Sequence, residues 1–319
     1  MTHAAETPRA SLVGPTASGK TAVAVLVAAR TGVEVISADS RQVYRRLDVG
    51  TAKPTAAERA AVPHHLVDVA DPTETYTAAR FGEESRAAAA AIRERGRLPF
   101  LVGGSGLYVR AAEEGLFEGP ARDASVRARL EAIAAAEGNA ALQARLAEVD
   151  AESAARLAVA DRVRLVRALE VWELTGIPIS EHHRRHRETV GSEAPLRFGL
   201  AWPADELVKR IEARTGAMLA AGWADEVRAL LDSGIPEDAP AWNALGYADV
   251  VELVRGRITQ AQARERIVIA SRQFAKRQRT WFRATPGVEW FVALGPDDLT
   301  RAAGRIVERL QTVLRSSSE

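Results

Sequence analysis

"LVGPTASGKT", residues 12–21, decides how this chain folds. It has the pattern G-x-x-x-x-G-K-T, from Gly14 through Gly19 and Lys20 to Thr21. A short apolar run, "SLVG", leads into it, and "TAVAVLVAAR" leaves it with helical spacing. Strand, glycine loop and helix in this order make a cradle for adjacent phosphates. The glycines let backbone N–H groups converge on phosphate oxygens, and Lys20 adds a point charge. Thr21 offers a hydroxyl to Mg2+, and the helix points its N-terminus at the anion. An ordinary turn would not require this set of residues in this context. The chemistry does not demand a nucleoside triphosphate; any diphosphate ester suits it.

The flanking chain extends the plan. "VEVISADS", residues 33–40, is β-branched and apolar and predicts a strand that stops at Asp39, beside the strand of the loop. The Ala-rich segment around residues 77–95 predicts a helix that stops near Gly96. "LPFLVGGSGLY", residues 98–108, repeats strand, glycines and helix. This alternation predicts an α/β fold with a parallel, P-loop NTPase-like sheet. Between about 122 and 190 the spacing is helical with no strand, as in "SVRARLEAIAAAEG" and "DRVRLVRALEVWELTG". The chain is therefore read as a core of residues 1–121 and 191–319 with an all-helical insertion at 122–190. "RFGLAWP", residues 197–203, resumes the sheet, and "GVEWFVA", residues 287–293, predicts its last strand. A helix forms the tail. No internal repeat or low-complexity linker interrupts the pattern.

The totals set limits. The chain has 319 residues, of which 47% are hydrophobic, enough for more than one core. Its net charge of +1 gives no sign of a nucleic-acid partner, so only local clustering can. The absence of cysteine excludes disulfides and thiolate metal sites. "MTHAAETPRA" has no signal-peptide run, and no apolar stretch is long enough for a membrane span. A cytoplasmic protein with no membrane partner is expected.

Asp39 is the first candidate outside the loop. A carboxylate at the carboxyl end of a strand in an open α/β sheet faces the ligand crevice. It suits a Mg2+ ligand or a general base, and it equally suits a helix N-cap in "ADSRQVY". Ser40, Arg41 and Gln42 follow at the same mouth. No convincing Walker B strand is present. "HHLVDVADP", residues 64–72, comes nearest and makes Asp68 only a weak Mg2+ candidate; His64 and His65 suit structural roles better. "SRQFAKRQRTWFR", residues 271–283, holds Arg272, Lys276, Arg277, Arg279 and Arg283 without an acid. Phe274, Trp281 and Phe282 are interleaved with them. Such a cluster fits RNA, with basic groups on phosphate and aromatics on unpaired bases, although aromatics on a helix more often face a core. "EHHRRHR", residues 181–187, is a second basic cluster, whose arginines argue against a metal at its histidines.

Taken together, "GPTASGKT", "ISADSRQVY", "DVGTAKPT", "PHHLVDVADP", "LVGGSGLY", "RALEVWELTG" and "AKRQRTWFR" resemble the tRNA dimethylallyltransferases, also called tRNA isopentenyltransferases. The matches run from about residue 11 to 283. The resemblance implies transfer of a dimethylallyl group from dimethylallyl diphosphate to N6 of adenosine 37, beside the anticodon, in tRNAs reading codons that start with U. It implies Mg2+ and a loop that holds the diphosphate of the donor. It makes Asp39 the general base. It makes Gly14, Pro15, Thr16, Ala17, Ser18, Gly19, Lys20 and Thr21 the diphosphate loop, with Thr21 on Mg2+ and Arg214 clamping the diphosphate. For tRNA contact it implies Asp39, Ser40, Arg41, Gln42, Ser105, Arg127, Val163, Arg164, Leu165, Val166, Arg167, Trp242, Asn243, Ala244, Leu245, Gly246 and Tyr247, to which the basic cluster adds Lys276, Arg277 and Arg279. Ser105 stands where many members have threonine, and "WNALGY" departs from the common pattern near its start. A monomer that grips the tRNA anticodon stem-loop with its insertion is expected. The competing readings are a P-loop kinase of a small metabolite, a prenyltransferase of free adenine nucleotides, and an RNA-binding module without catalysis. Lys20, Thr21 and Asp39 argue against the last, and the basic clusters against the first two.

Overall fold

The computed structural model describes residues 7–189 and 195–316. The segment boundary expected between 190 and 191 lies outside the described residues. Six strands form one all-parallel sheet: β1 (Ala10–Val13), β2 (Val33–Ala38), β3 (His64–His65), β4 (Leu98–Gly103), β5 (Leu196–Ala201) and β6 (Val288–Val292). Their order is β3-β2-β4-β1-β5-β6.

This order corrects one expectation. β2 does not lie beside β1; β4 lies between them, with Leu12 opposite Val102 and Ile36 opposite Leu101. The three strands are buried on both faces, so their composition suits any neighbour, and the crossover connections choose the pairing. The loop after β1, Asp39 after β2 and Gly104 after β4 all stand at the carboxyl edge of the sheet, where such folds bind ligands.

The sheet is covered on both sides because successive strand residues point to opposite faces. Leu12, Val35 and Phe100 join one core with Phe198, Leu200 and Trp202. Val13, Ile36 and Leu101 join the other with Phe81, Trp223, Tyr247 and Phe282. The covering helices are α1 (Lys20–Thr31), α2 (Ala56–Ala61), α3 (Ala78–Glu94) and α4 (Gly106–Glu113). A separate segment of the chain is all helical. Its five helices are α5 (Ala124–Glu137), α6 (Asn139–Val149), α7 (Ala151–Arg156), α8 (Arg162–Thr175) and α9 (Ile179–Thr189). The sheet unit then resumes with α10 (Ala204–Ala220), α11 (Trp223–Asp232), α12 (Tyr247–Val254), α13 (Gln260–Arg283) and α14 (Pro296–Ser316), besides a 3-10 turn at Pro240–Asn243. Among the described residues no helix is long and apolar enough to cross a membrane.

The chain divides into two compact units, one being Leu116–Ser192 and the other the remainder. The helical unit takes in residues ahead of 122 because Phe117 packs against its core and the Pro120 carbonyl accepts from Arg167 at 2.9 Å. That core is built from Leu130, Leu142, Leu146, Leu165, Val166 and Leu169. Asp123, Asp150 and Asp161 cap α5, α7 and α8 by accepting N–H groups of the first turns.

Candidate active site

The loop of residues 14–21 is fixed from several directions. Gly19 at φ 91° ends it and opens α1, whose first N–H groups have no intrahelical partner. Ala17 has φ 62°, unusual for a residue with a side chain. Arg210 of α10 donates from Nε to the Ala17 carbonyl at 2.7 Å while stacking on Trp202 at 4.1 Å. Trp202 Nε1 donates to the Ser18 carbonyl at 3.0 Å. On the other side, Thr16 N–H donates to Gln278 Oε1 at 2.8 Å, and Gln278 Nε2 donates to the Gly104 carbonyl at 2.9 Å. A Cβ on Gly104 would lie 2.3 Å from that amide nitrogen, so only glycine admits Gln278 here. Gln278 thus ties the loop to the end of β4.

Lys20 Nζ donates to the carbonyls of Gly14 at 3.1 Å and Pro15 at 2.8 Å. Burial, with a further push from Arg214, brings its pKa down to about 7, against the pull of Asp39. Arg214 of α10 reaches Thr16 Oγ1 at 3.4 Å. Its pKa is lowered by burial, again against the attraction of Asp39. Two cations therefore converge on the loop within electrostatic reach of one carboxylate. Asp39 Oδ1 accepts the N–H groups of Arg41 at 2.9 Å and Gln42 at 3.4 Å. The carboxylate is thus oriented by the turn that it caps, and the same turn holds it at the cavity. Ser105 Oγ accepts the Ser40 N–H at 3.0 Å and holds that turn against the end of β4.

Asp39 lines two cavities. The larger, about 420 Å³, is also lined by Thr16, Ala17, Ser40, Arg41, Arg214, Asn243, Ala244, Leu245, Gly246 and Arg277. Its remaining walls combine apolar Ile211, Met218, Trp223, Ile267, Ala270 and Phe274 with Gly50 and the polar Thr51, Thr215, Ser271 and Gln273. The smaller, about 40 Å³, is lined by Lys20, Thr21, Ser37, Asp39, Gln42 and His64 among others. Thr21 and Asp39 offer hard oxygens there, which fits Mg2+. That ion usually takes one or two protein oxygens and completes its shell with water and substrate phosphates. Among the described residues no cluster of three or more His, Asp or Glu could hold a metal by itself.

Several expected contact residues do not face the cavity. Gln42 is buried, donating to the carbonyls of Thr51 at 3.3 Å and Ala52 at 3.2 Å and accepting from Ser37 at 3.1 Å. It holds the 48–53 loop and reaches the smaller cavity beside Asp39 instead of the larger one. Tyr247 is fully buried and donates to Glu226 at 2.6 Å. Trp242 donates to the Pro236 carbonyl at 2.7 Å. Asp68 is no Mg2+ ligand, because it pairs with buried Lys53 and with Arg59 at 2.9 Å. His65 pairs with Glu34 at 2.7 Å, and His64 Nδ1 lies 2.8 Å from the Val62 carbonyl.

In the helical unit, Leu165 and Val166 belong to the core and cannot contact RNA, because α8 turns them inward. Val163 is 71% exposed, and Arg164 lies at the surface beside Asp161 at 3.1 Å. Arg127 and Arg167 both clamp Glu170, which is 0% exposed, at 2.9 and 2.8 Å. Burial would raise the Glu170 carboxyl, but the two guanidinium groups outweigh it and hold the pKa below the usual range. On α13, Arg272, Lys276, Arg277 and Arg283 are exposed, and none of them forms an ion pair with a described residue. Phe282 is in the core and Trp281 packs at its edge, so the aromatics mostly serve packing.

Sequence reading missed Gln278, Arg210 and Trp202. Gln278 had one visible signal: it is a polar residue in step with Ser271, Ala275 and Phe282 on the buried face of α13.

Comparison with known proteins places this geometry. The IPP transferase family model matches residues 42–285, and the isopentenyl transferase model matches residues 9–66. A tRNA dimethylallyltransferase of Halorhodospira halophila is 50% identical over 286 residues, covering 89% of this chain and 92% of the relative. The tRNA dimethylallyltransferase 2 of Syntrophus aciditrophicus is 44% identical over 308 residues, covering 96% and 99%. Among solved structures, the tRNA isopentenylpyrophosphate transferase of Bacillus halodurans superposes with a TM-score of 0.70 at 37% identity, covering 98% of this chain and 100% of that one.

Proposed function

The chain belongs to the IPP transferase family, the tRNA dimethylallyltransferases, and on that premise we propose the reaction that its site performs. It transfers a dimethylallyl group from dimethylallyl diphosphate to N6 of adenosine 37 in tRNAs reading codons that start with U. One observation carries this reading. Asp39 faces the same cavity as Thr16 and Arg214, and that cavity also has an apolar wall of Ile211, Met218, Trp223, Ile267, Ala270 and Phe274. A P-loop that shares one cavity with a carboxylate and an apolar wall suits a prenyl diphosphate and its acceptor.

The donor diphosphate lies in the loop, against its N–H groups, Lys20 and Arg214. The N6 nitrogen attacks C1 of the dimethylallyl group, and the C1–O bond breaks with its electron pair leaving on the diphosphate. Asp39 accepts the proton that N6 loses. The carboxylate matters because the adenine N6 lone pair is delocalised into the ring. Arg214, Lys20 and the loop dipoles stabilise the charge that develops on the leaving group. Thr21 would hold Mg2+, which supplies further neutralisation of the diphosphate when bound. The exposed basic residues of α13, with Val163 and Arg164 of the helical unit, meet the anticodon stem-loop. The protein acts as a cytoplasmic monomer.

The direct test is a transfer assay without ATP. It combines protein, Mg2+, radiolabelled dimethylallyl diphosphate and unmodified tRNA with A36-A37-A38. Label in tRNA and none in AMP is expected. ATP hydrolysis or phosphorylation of a metabolite, with no label in tRNA, would overturn the reading in favour of a kinase.

A further inference from the structure

The large cavity has two chemically different ends, and α10 and α13 show where each lies. At one end Arg214 of α10 and Gln278 of α13 both bond Thr16. Moving away from the loop along α10, Met218 stands about 6 Å beyond Arg214 at 1.5 Å per residue. The helix then ends, and Trp223 opens α11. Moving away along α13, Phe274, Ala270 and Ile267 follow on the cavity side. Both paths finish at one place, because a Cβ on Gly246 would lie 2.4 Å from Trp223 and 3.2 Å from Ile267. The trough therefore runs from a cationic end to an end closed by an indole.

That closure is rigid. Trp223 is 0% exposed and its ring sits edge-on to Tyr247 at 5.4 Å. Gly50 and Gly246 flank it so closely that a Cβ on Gly50 would lie 2.1 Å from Nε1. The loop carrying Gly50 is held by Glu226, which accepts the N–H groups of Asp48 at 2.7 Å, Val49 at 2.6 Å and Gly50 at 3.2 Å. Tyr247 donates to the same carboxylate. Trp223 Nε1 is buried without a hydrogen-bond partner among the described residues. The indole is thus used for its bulk and not for its N–H.

We propose that Trp223 limits the length of the prenyl chain: its indole closes the end of the cavity that lies away from the loop. The inference rests on the reading of the large cavity as a prenyl diphosphate site. An indole is bulkier than an isoprene unit, so its removal opens the space that the longer chain needs. A wall that yields gives little discrimination, and here the glycines and the Glu226 clasp keep it from yielding.

The test compares dimethylallyl and geranyl diphosphate on wild type, Trp223→Ala and Trp223→Leu. Affinity for each diphosphate is measured by calorimetry, and transfer to unmodified tRNA is measured as kcat/KM. Thermal melting reports folding, and the leucine variant keeps enough apolar bulk to serve if the alanine variant does not fold. Wild type is expected to favour the shorter donor in both measures. The substitutions are expected to shrink that preference at least about tenfold, alanine more than leucine. A folded variant with the wild-type preference overturns the proposal. So does a variant that only raises KM for tRNA, which would put the indole on the acceptor side. If wild type binds dimethylallyl diphosphate but labels no tRNA, the reaction assigned above fails, while the binding preference still decides the role of Trp223.

Discussion

Asp39 and Lys20 carry opposite halves of the chemistry, and each has its own test. Asp39→Asn keeps the shape of the turn and removes the base. The expected loss is about 10²–10⁴-fold in kcat with tRNA affinity nearly unchanged, read by single-turnover transfer and filter binding. Comparable losses in both would assign Asp39 to RNA contact alone. Lys20 gives a pH signature. Its pKa of about 7 in the free protein means that it is largely neutral at pH 8. A bound diphosphate favours the ammonium and raises that pKa. Donor binding therefore takes up a proton above about pH 7. Through this group, affinity falls by up to about tenfold per pH unit there and is flat below. Calorimetry at pH 8 in buffers of different ionisation enthalpy reads the uptake directly, and Lys20→Met should abolish it. Gln278 belongs to the same scale. Gln278→Ala leaves the buried Thr16 N–H and Gly104 carbonyl unpaired, a cost of about 1–3 kcal/mol visible in denaturant melts, with a weaker Kd for the donor. Gln278→Glu retains the acceptor for Thr16 and should recover part of the donor affinity.

At the scale of the element, α13 shows how one helix does two jobs. Its buried face, at Ser271, Ala275, Gln278 and Phe282, packs on the sheet and pins the loop. Its other face presents Arg272, Lys276 and Arg277 to solvent, with Arg277 also at the cavity. Neutralising Arg277 and Arg279 to Gln should reduce the log–log salt slope of tRNA binding by about 1.5, since each phosphate that a cation neutralises adds roughly 0.7–0.9 to it. An unchanged slope would take α13 off the RNA. The basic character of this face was legible in "AKRQRTWFR" because side-chain charge is a local property. The role of Gln278 was not, because its partners Thr16 and Gly104 lie 262 and 174 residues away. In α8 the same limit acts in reverse. Residues 163–167 look like one contact stretch in sequence, yet helical rotation sends Val163 and Arg164 outward and Leu165 and Val166 into the core.

Across the whole molecule, each unit has its own hydrophobic core, so damage to the helical unit should not reach donor binding in the sheet unit. Leu142 is fully buried in the helical unit. Leu142→Ala should destabilise that unit by about 2–5 kcal/mol. Transfer to tRNA and tRNA affinity should fall, while calorimetric binding of the donor diphosphate stays at the wild-type value. Loss of donor binding as well would mean that the donor site depends on the helical unit.

The sequence by itself determined the phosphate loop, the strand-to-Asp39 junction, the helical character of the second segment and the basic stripe. Each depends on residues within one or two turns of chain, where spacing and side-chain chemistry act directly. Tertiary structure alone decided that β4 stands between β1 and β2, because strands buried on both faces accept one another without regard to order. It alone decided that Arg127 and Arg167 turn to Glu170 and that Lys53 turns to Asp68. A cation is drawn to the nearest desolvated carboxylate, and which one is nearest is a fact of packing. It alone brought Arg214, Gln278 and Trp223 to the two ends of one cavity, since those contacts join distant segments that no local pattern relates.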